Sequence, residues 1–330
     1  TKPTSEMLSY MMSAKVGDDV FAEDPTVSAL ETKIATMFGM EAGLFVPSGT
    51  MSNQLGIKVL TNPGDELIID HKGHIYNYET GGTSLLSGVQ IQTVIGNQGK
   101  LQVRDIENSI RGVFDWEPKT TLLCLENTTN KGGGVCYSQD ELIVLKEFAN
   151  SHNLQIHLDG ARIWNAMTRT KTEATFYGTI ADTISVCFSK GLGAPIGSML
   201  LSSSENIKKA RRFRKMWGGG MRQVGLLAAA ADFAVTHNFI KLADDHRRAK
   251  ELAKTIDSCS QLSIDLSSVE TNIVIFETVN ESASSAISKL EEKGIRMVQF
   301  GPNTIRATFH FEIGDEELKY VKKTIIGLFN

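Results

Sequence analysis

Over the first 200 residues, short apolar runs alternate with amphipathic stretches. AGLFVPSG, DELIID, VQIQTVI, TTLLCLEN, LQIHLDG, TISVCFSKG and GSMLLSS are each bounded by Gly, Asp, Asn or Lys, which predicts buried strands. Helical patterns lie between several of them. MSNQLGIKVL is one. QDELIVLKEFANSHN is another, with Leu142, Leu145, Lys146, Phe148 and Ala149 at helical spacing and Ser138 as its N-cap. Strands alternating with helices predict a mainly parallel sheet covered on both faces. In such sheets ligands bind at the carboxyl ends of strands.

From about residue 222 the texture changes. The Ala- and Leu-rich stretch RQVGLLAAAADFAVTHNFIKLADDHRRAKELAKTIDS predicts a long helix. Two strand-like runs, a helix, a strand and a terminal helix follow. The expected organisation is an N-terminal segment 1–12, a large α/β domain 13–235 and a small α+β domain 236–330. A length of 330 residues with 41% hydrophobic and 22% charged residues suits a globular chain of two domains. A net charge of −4 supplies no global basic field, so neither nucleic acid nor an acidic membrane surface is an expected partner. No apolar run stands out as a membrane span. Cys124, Cys136, Cys187 and Cys259 form no CxxC pair and no zinc-like spacing. A reducing, cytoplasmic setting is expected, with room for a targeting segment upstream of the TKPTSEM start.

Three strand ends carry candidate chemistry. In SGTMSN a strand turns into a helix through Ser48, Gly49 and Thr50; free N–H groups and hydroxyls there make either a capped helix start or a phosphate cradle. Asp159 closes LQIHLDG and is followed by Arg162. The two could pair with each other, or Asp159 could meet a protonated ring nitrogen while Arg162 binds a carboxylate. Lys190 follows TISVCFS and precedes Gly-Leu-Gly-Ala-Pro. It is either a lysine snorkelling at a strand end or an amine nucleophile for an aldehyde, with small residues clearing the approach. A phosphate cradle, a strand-end Asp and a strand-end Lys on one α/β sheet together point to pyridoxal 5'-phosphate. HKGHIYNYETGG adds His74 to stack on the ring and Tyr78 as a substrate contact. His71 and His74 as a metal pair are set aside for want of helical context and a third ligand, so no metal is expected. In KKARRFRK (208–215) six of eight residues are basic, and most of these are expected on a solvated helix face.

VGDDVFAEDPTVSALE, FVPSGTMSNQLG, LENTTN, HLDGARIWNA, SKGLGAPIGS and RKMWGGGMRQ, in this order, resemble the low-specificity L-threonine aldolases, fold-type I pyridoxal-phosphate enzymes of the β-eliminating lyase group. The resemblance implies a carbon–carbon lyase that splits L-threonine or L-allo-threonine into glycine and acetaldehyde. By position it implies Lys190 as the Schiff-base lysine, Asp159 as the ring-nitrogen partner and His74 as the stacking histidine. Ser48, Gly49 and Thr50 become the phosphate loop, with Lys215 and Arg222 as basic residues near the phosphate, across a subunit interface. Arg162 and Arg306 hold the cofactor or the substrate carboxylate, and Thr129 stands where many bacterial members have a histidine near the substrate hydroxyl. A homo-oligomer, a dimer of dimers, is implied as well. The family's Leu-Arg-Ser-Asp-Thr-Val segment, whose serine helps bind the carboxylate, would precede Thr1. The runner-up is an enzyme of the same fold acting on another amino-acid bond, by racemisation, transamination or β-elimination. A non-catalytic binding protein comes after that.

Overall fold

The computed structural model describes residues 1–112 and 114–330. Each apolar run of the first 200 residues forms a strand: β1 (Ala42–Val46), β2 (Asp65–Asp70), β3 (Gln90–Val94), β4 (Lys119–Glu126), β5 (Gln155–Gly160), β6 (Thr183–Cys187) and β7 (Ser198–Ser202). They make one sheet in the order β1-β7-β6-β5-β4-β2-β3. Strands β2 to β6 pair in parallel, and β7 runs antiparallel to β6 and β1.

The sheet is covered on both faces, which is why its strands read as near-continuous apolar runs. Successive residues point to opposite sides. Leu44, Val46 and Leu200 pack with Leu55 and Ile207 on one face, while Phe45, Met199 and Leu201 join Phe38 and Trp164 on the other. The expected helix over QDELIVLKEFANS spans Gln139–Ser151. Ser138 and Glu141 cap it reciprocally, and Leu142, Leu145 and Ala149 are buried.

The C-terminal sheet holds β8 (Leu262–Ser263), β9 (Ile273–Thr278), β10 (Val298–Gln299) and β11 (Thr304–Thr308), in the antiparallel order β10-β11-β9-β8. Helices Ala283–Glu291 and Asp315–Phe329 cover it. Strand β10 went unpredicted because both of its residues are exposed and leave no pattern. The long helical stretch is broken: helix Gly225–Phe233 passes through a π turn (Ala234–Asn238) and a 3-10 turn (Phe239–Lys241) into helix Leu242–Asp257.

One expectation needs correction here. The run Gly225–Asp257, 33 residues with a window of mean hydropathy 1.2, is long and apolar enough to cross a membrane. In the fold it is a core element, because Ala228, Ala230, Ala231 and Ala234 are buried against helices Ser5–Met12 and Pro25–Phe38. Its alanines let three helices approach closely. Leu242 belongs to the large core and Ala249 to the small one, so the two cores meet within helix Leu242–Asp257.

Candidate active site

The parallel register aligns the carboxyl ends of β4 and β5, with Glu126 opposite Asp159. Asp159 is 2% exposed. Its Oδ1 accepts from the Ala161 N–H at 3.0 Å and its Oδ2 from Asn53 Nδ2 at 3.0 Å. The Asp159–Arg162 pair allowed by the sequence does not form. Arg162 Nη1 instead donates to Asn130 Oδ1 at 3.3 Å, and Arg306 Nη1, from β11, donates to the same oxygen at 2.7 Å. Arg306 Nε is buried without a partner. Burial lowers the pKa of both guanidinium groups, and for Arg162 the charge of Arg306 adds to the effect. Two forks on one neutral acceptor leave a slot that favours an anion.

His74 opens the short helix His74–Tyr78 and is held at both ends. Its backbone N–H donates to Glu126 Oε2 at 2.8 Å, and its Nδ1 lies 3.0 Å from Glu79 Oε1. The hydrogen bond to Glu79 raises the His74 pKa against the opposing effect of burial. Glu126 also accepts from the Asn130 N–H at 2.8 Å; burial, then the charge of Asp159, pushes its pKa up to about 7. Tyr78 lies beside His74, with ring centroids 5.4 Å apart, and is exposed. Thr129 is placed differently from the expectation of a substrate contact. It is buried and its hydroxyl donates to Gln98 O at 2.9 Å, leaving its neighbour Asn130 to meet the arginines.

Behind these groups runs a buried polar chain. Glu79 accepts from Asn53 Nδ2 at 2.8 Å and from Gln54 Nε2 at 2.6 Å. Asn53 Oδ1 lies 3.1 Å from His157 Nε2, and His157 Nδ1 lies 2.8 Å from Thr183 Oγ1. Burial pushes the His157 pKa down to about 4, so its ring is neutral. Ligand atoms of His74, Glu79 and Asp159 all lie within 4.8 Å of one another, a spacing a metal could use. The amide of Asn53 donates to both carboxylates and occupies lone pairs that a cation would need. His71, the other half of the HxxH pair, lies instead beside Asp70, Nδ1 to Oδ1 3.5 Å.

Helix Gly49–Leu60 begins at the carboxyl end of β1. Ser48 is extended and caps it, its hydroxyl accepting from the Met51 N–H at 3.1 Å. The N–H groups of Gly49 and Thr50 meet no protein acceptor among the described residues. A side chain at position 49 would put its Cβ 2.7 Å from Cys187 Sγ. The Ser48 cap thus leaves these two N–H groups free among the described residues.

Lys190 leaves β6 in a loop whose Gly193 and Gly197 have φ of 81° and 113°. Phe311 abuts Gly193 and Phe45 abuts Gly197 so closely that no Cβ fits. The lysine is half-buried, and its Nζ makes no hydrogen bond or ion pair among the described residues. Its charge lowers the pKa of both His74 and Cys187.

Lys215 is exposed, and Arg222 pairs with Asp18 at 2.6 Å, so the structure brings neither to Asp159 within this chain. Of KKARRFRK, residues Lys208, Lys209, Arg212 and Lys215 are exposed. Arg214 is buried between Asp19 and Phe45 O, and Arg211 reaches Glu31.

An uncompensated buried carboxylate, an imidazole, an unpaired amine and free N–H groups at a helix start are what a planar phosphorylated aldehyde with a basic ring nitrogen requires. Sequence reasoning passed over Asn53, Glu79, Glu126, Asn130 and His157. One signal was present: His157 and Asp159 fall on the same face of an otherwise apolar strand.

Comparison with known proteins adds an independent line. The beta-eliminating lyase family model matches residues 1–280. Low-specificity L-threonine aldolase 1 of Arabidopsis thaliana is 39% identical over 327 residues, covering 97% of this chain and 91% of that protein. Low specificity L-threonine aldolase of Escherichia coli K12 is 35% identical over 322 residues, covering 97% and 94%. The structure of Leishmania major threonine aldolase superposes with a TM-score of 0.85 at 20% identity, covering 99% and 97% of the two chains.

Proposed function

The chain belongs to the beta-eliminating lyase family, and on that premise we propose that it is a pyridoxal-phosphate aldolase, cleaving L-threonine and L-allo-threonine at Cα–Cβ to glycine and acetaldehyde. The observation that carries this reading is the slot formed where Arg162 and Arg306 converge on Asn130, next to the Asp159–His74 cluster. It supplies a carboxylate site beside a place for a protonated ring nitrogen. An amino acid presents that combination to such a cofactor.

Pyridoxal phosphate, when bound, supplies an electron sink for the pair released as Cα–Cβ breaks. Lys190 would hold its aldehyde carbon, Asp159 would keep its ring nitrogen protonated, and Ser48, Gly49 and Thr50 would hold its phosphate. Arg306 and Arg162 would clamp the substrate carboxylate, whose charge offsets the cost of burying them. His74 Nε2, with no protein partner among the described residues, would take the β-hydroxyl proton. Cα takes up a proton in exchange, so threonine yields glycine and acetaldehyde with no further reactant.

Oligomerisation is part of the reading. Met12, Phe21 and Met216 are 80%, 66% and 73% exposed, large apolar side chains of the kind a second copy would cover. Lys215 adjoins Met216 and Arg222 follows the Gly218–Gly220 run, and sedimentation as a multiple of 36.1 kDa tests the arrangement. For the activity, the full chain is loaded with pyridoxal phosphate and incubated with L-threonine, L-allo-threonine or L-alanine. Acetaldehyde is expected from the first two. Lys190→Ala should lose both the acetaldehyde and the absorbance band of the lysine-bound cofactor. Exchange of the α-proton of alanine without acetaldehyde from either threonine would overturn the aldolase reading.

A further inference from the structure

Glu79 is 1% exposed, accepts from Asn53 Nδ2 and Gln54 Nε2, and has His74 Nδ1 3.0 Å from its Oε1. Among the described residues no lysine or arginine pairs with it, and His74 is its one titratable partner. A buried carboxylate without a cation is costly, so ionised Glu79 draws a proton onto the imidazole nitrogen that faces it. The His74 backbone N–H is held by Glu126, which fixes where the ring is anchored, and the Nδ1–Glu79 contact at 3.0 Å sets which way it turns.

We propose that Glu79 is the positioning residue of this site: it holds the His74 ring with a proton on Nδ1, so that Nε2 faces the substrate, and Asn53 ties that setting to Asp159. The inference rests on His74 as the acid–base group. Asn53 cannot flip its amide without turning an acceptor towards both Glu79 and Asp159. Its Oδ1 is matched to the Nε2–H of neutral His157, whose Nδ1 accepts from Thr183. Proton positions are therefore fixed from Thr183 through to His74. Asn53 also stands between two carboxylates that would otherwise repel.

The groups facing His74 come from four elements. Glu79 follows its own helix, Glu126 ends β4, Asp159 ends β5 and Lys190 follows β6. The carboxylates Glu79 and Asp159 favour the imidazolium, whereas burial and Lys190 oppose it. Losing the Glu79 charge leaves the opposing pair weakly balanced, so His74 must release its proton at lower pH.

The test is a ring-nitrogen NMR titration of the full-length chain labelled with ¹⁵N-histidine, with and without pyridoxal phosphate. His74 is assigned by the signal lost in His74→Asn. Wild type should show the neutral ring protonated on Nδ1. In Glu79→Gln the titration should move down by a pH unit or more, about tenfold weaker proton binding. The acid limb of kcat/KM for threonine should move with it while KM holds. Glutamine at 79 keeps the shape, and Gln54 Oε1, which has no partner, can rotate to accept from it. A His74 titration unmoved in Glu79→Gln overturns the proposal. Should that variant not fold, a wild-type ring protonated on Nε2 overturns it equally. A shifted titration with no acetaldehyde from any substrate supports the positioning role and sinks the aldolase reading instead.

Discussion

Arg306 shows at the scale of one residue how the site divides its labour. It comes from β11 of the C-terminal sheet, stacks over the Phe300 ring at 4.6 Å and shares Asn130 Oδ1 with Arg162, which follows β5. On the proposed function, a substrate carboxylate entering the slot would give both forks a charged acceptor in place of a shared neutral one. Lysine keeps the charge but loses the planar fork. Arg306→Lys should therefore raise KM for threonine about tenfold or more and leave kcat within about threefold, because the carboxylate is bound alike in ground and transition states. Steady-state kinetics decide it; a fall in kcat at unchanged KM contradicts the assignment. Lys190, Asp159 and Gly49 were legible in the sequence because each ends an apolar run beside small residues. Asn53 and Glu79 were not. Their roles arise from hydrogen bonds between residues 26 and 106 positions apart, which no local pattern encodes.

Among the elements, helix Gly49–Leu60 links the free N–H groups at its start to the chain of polar groups beneath it. It lies against β5 and β6, and a Cβ at Gly56 would sit 2.6 Å from His157 Cε1 and 2.7 Å from His157 Nδ1. Alanine is the better helix former by about 1 kcal/mol, so propensity alone predicts that Gly56→Ala stabilises. Contact predicts the reverse. The methyl must displace the His157 ring from Thr183 and Asn53, and overpacking of this kind costs about 1–3 kcal/mol. Gly56→Ala should lower the urea midpoint at unchanged m-value; a raised midpoint would mean that the ring has room to move. The strands of the large sheet were readable since burial on both faces writes an apolar run. The break at Ala234–Asn238 was not, because alanine and valine continue a helical pattern through it.

The molecule as a whole is two cores joined by helix Leu242–Asp257, and the ionisable groups buried at that junction give its stability a pH dependence of mixed sign. His246 is bonded to Asn165 Oδ1 at 2.9 Å, and burial pushes its pKa down to about 4, as for His157. Folded pKa values below the unfolded one contribute stability that is present above about pH 6.5 and lost as pH falls towards 4. Asp245, next to His246, acts in the opposite direction. It is fully buried; among the described residues neither carboxylate oxygen has a hydrogen-bond partner, and the nearest cation, Arg248 Nη1, is 3.9 Å away. Burial pushes its pKa up to about 7. The folded chain then keeps a proton that the unfolded chain releases from about pH 4, so stability declines as pH rises from there to about 7 and levels off beyond it. Asp245→Asn removes the charge and with it this decline. The variant should gain about 3 kcal/mol more over wild type at pH 8.5 than at pH 5, from about two pH units of linkage at 1.36 kcal/mol each. Urea unfolding at the two pH values measures the difference. An equal offset at both would mean that Asp245 is paired or hydrated in the folded protein, and that the junction stores no proton there.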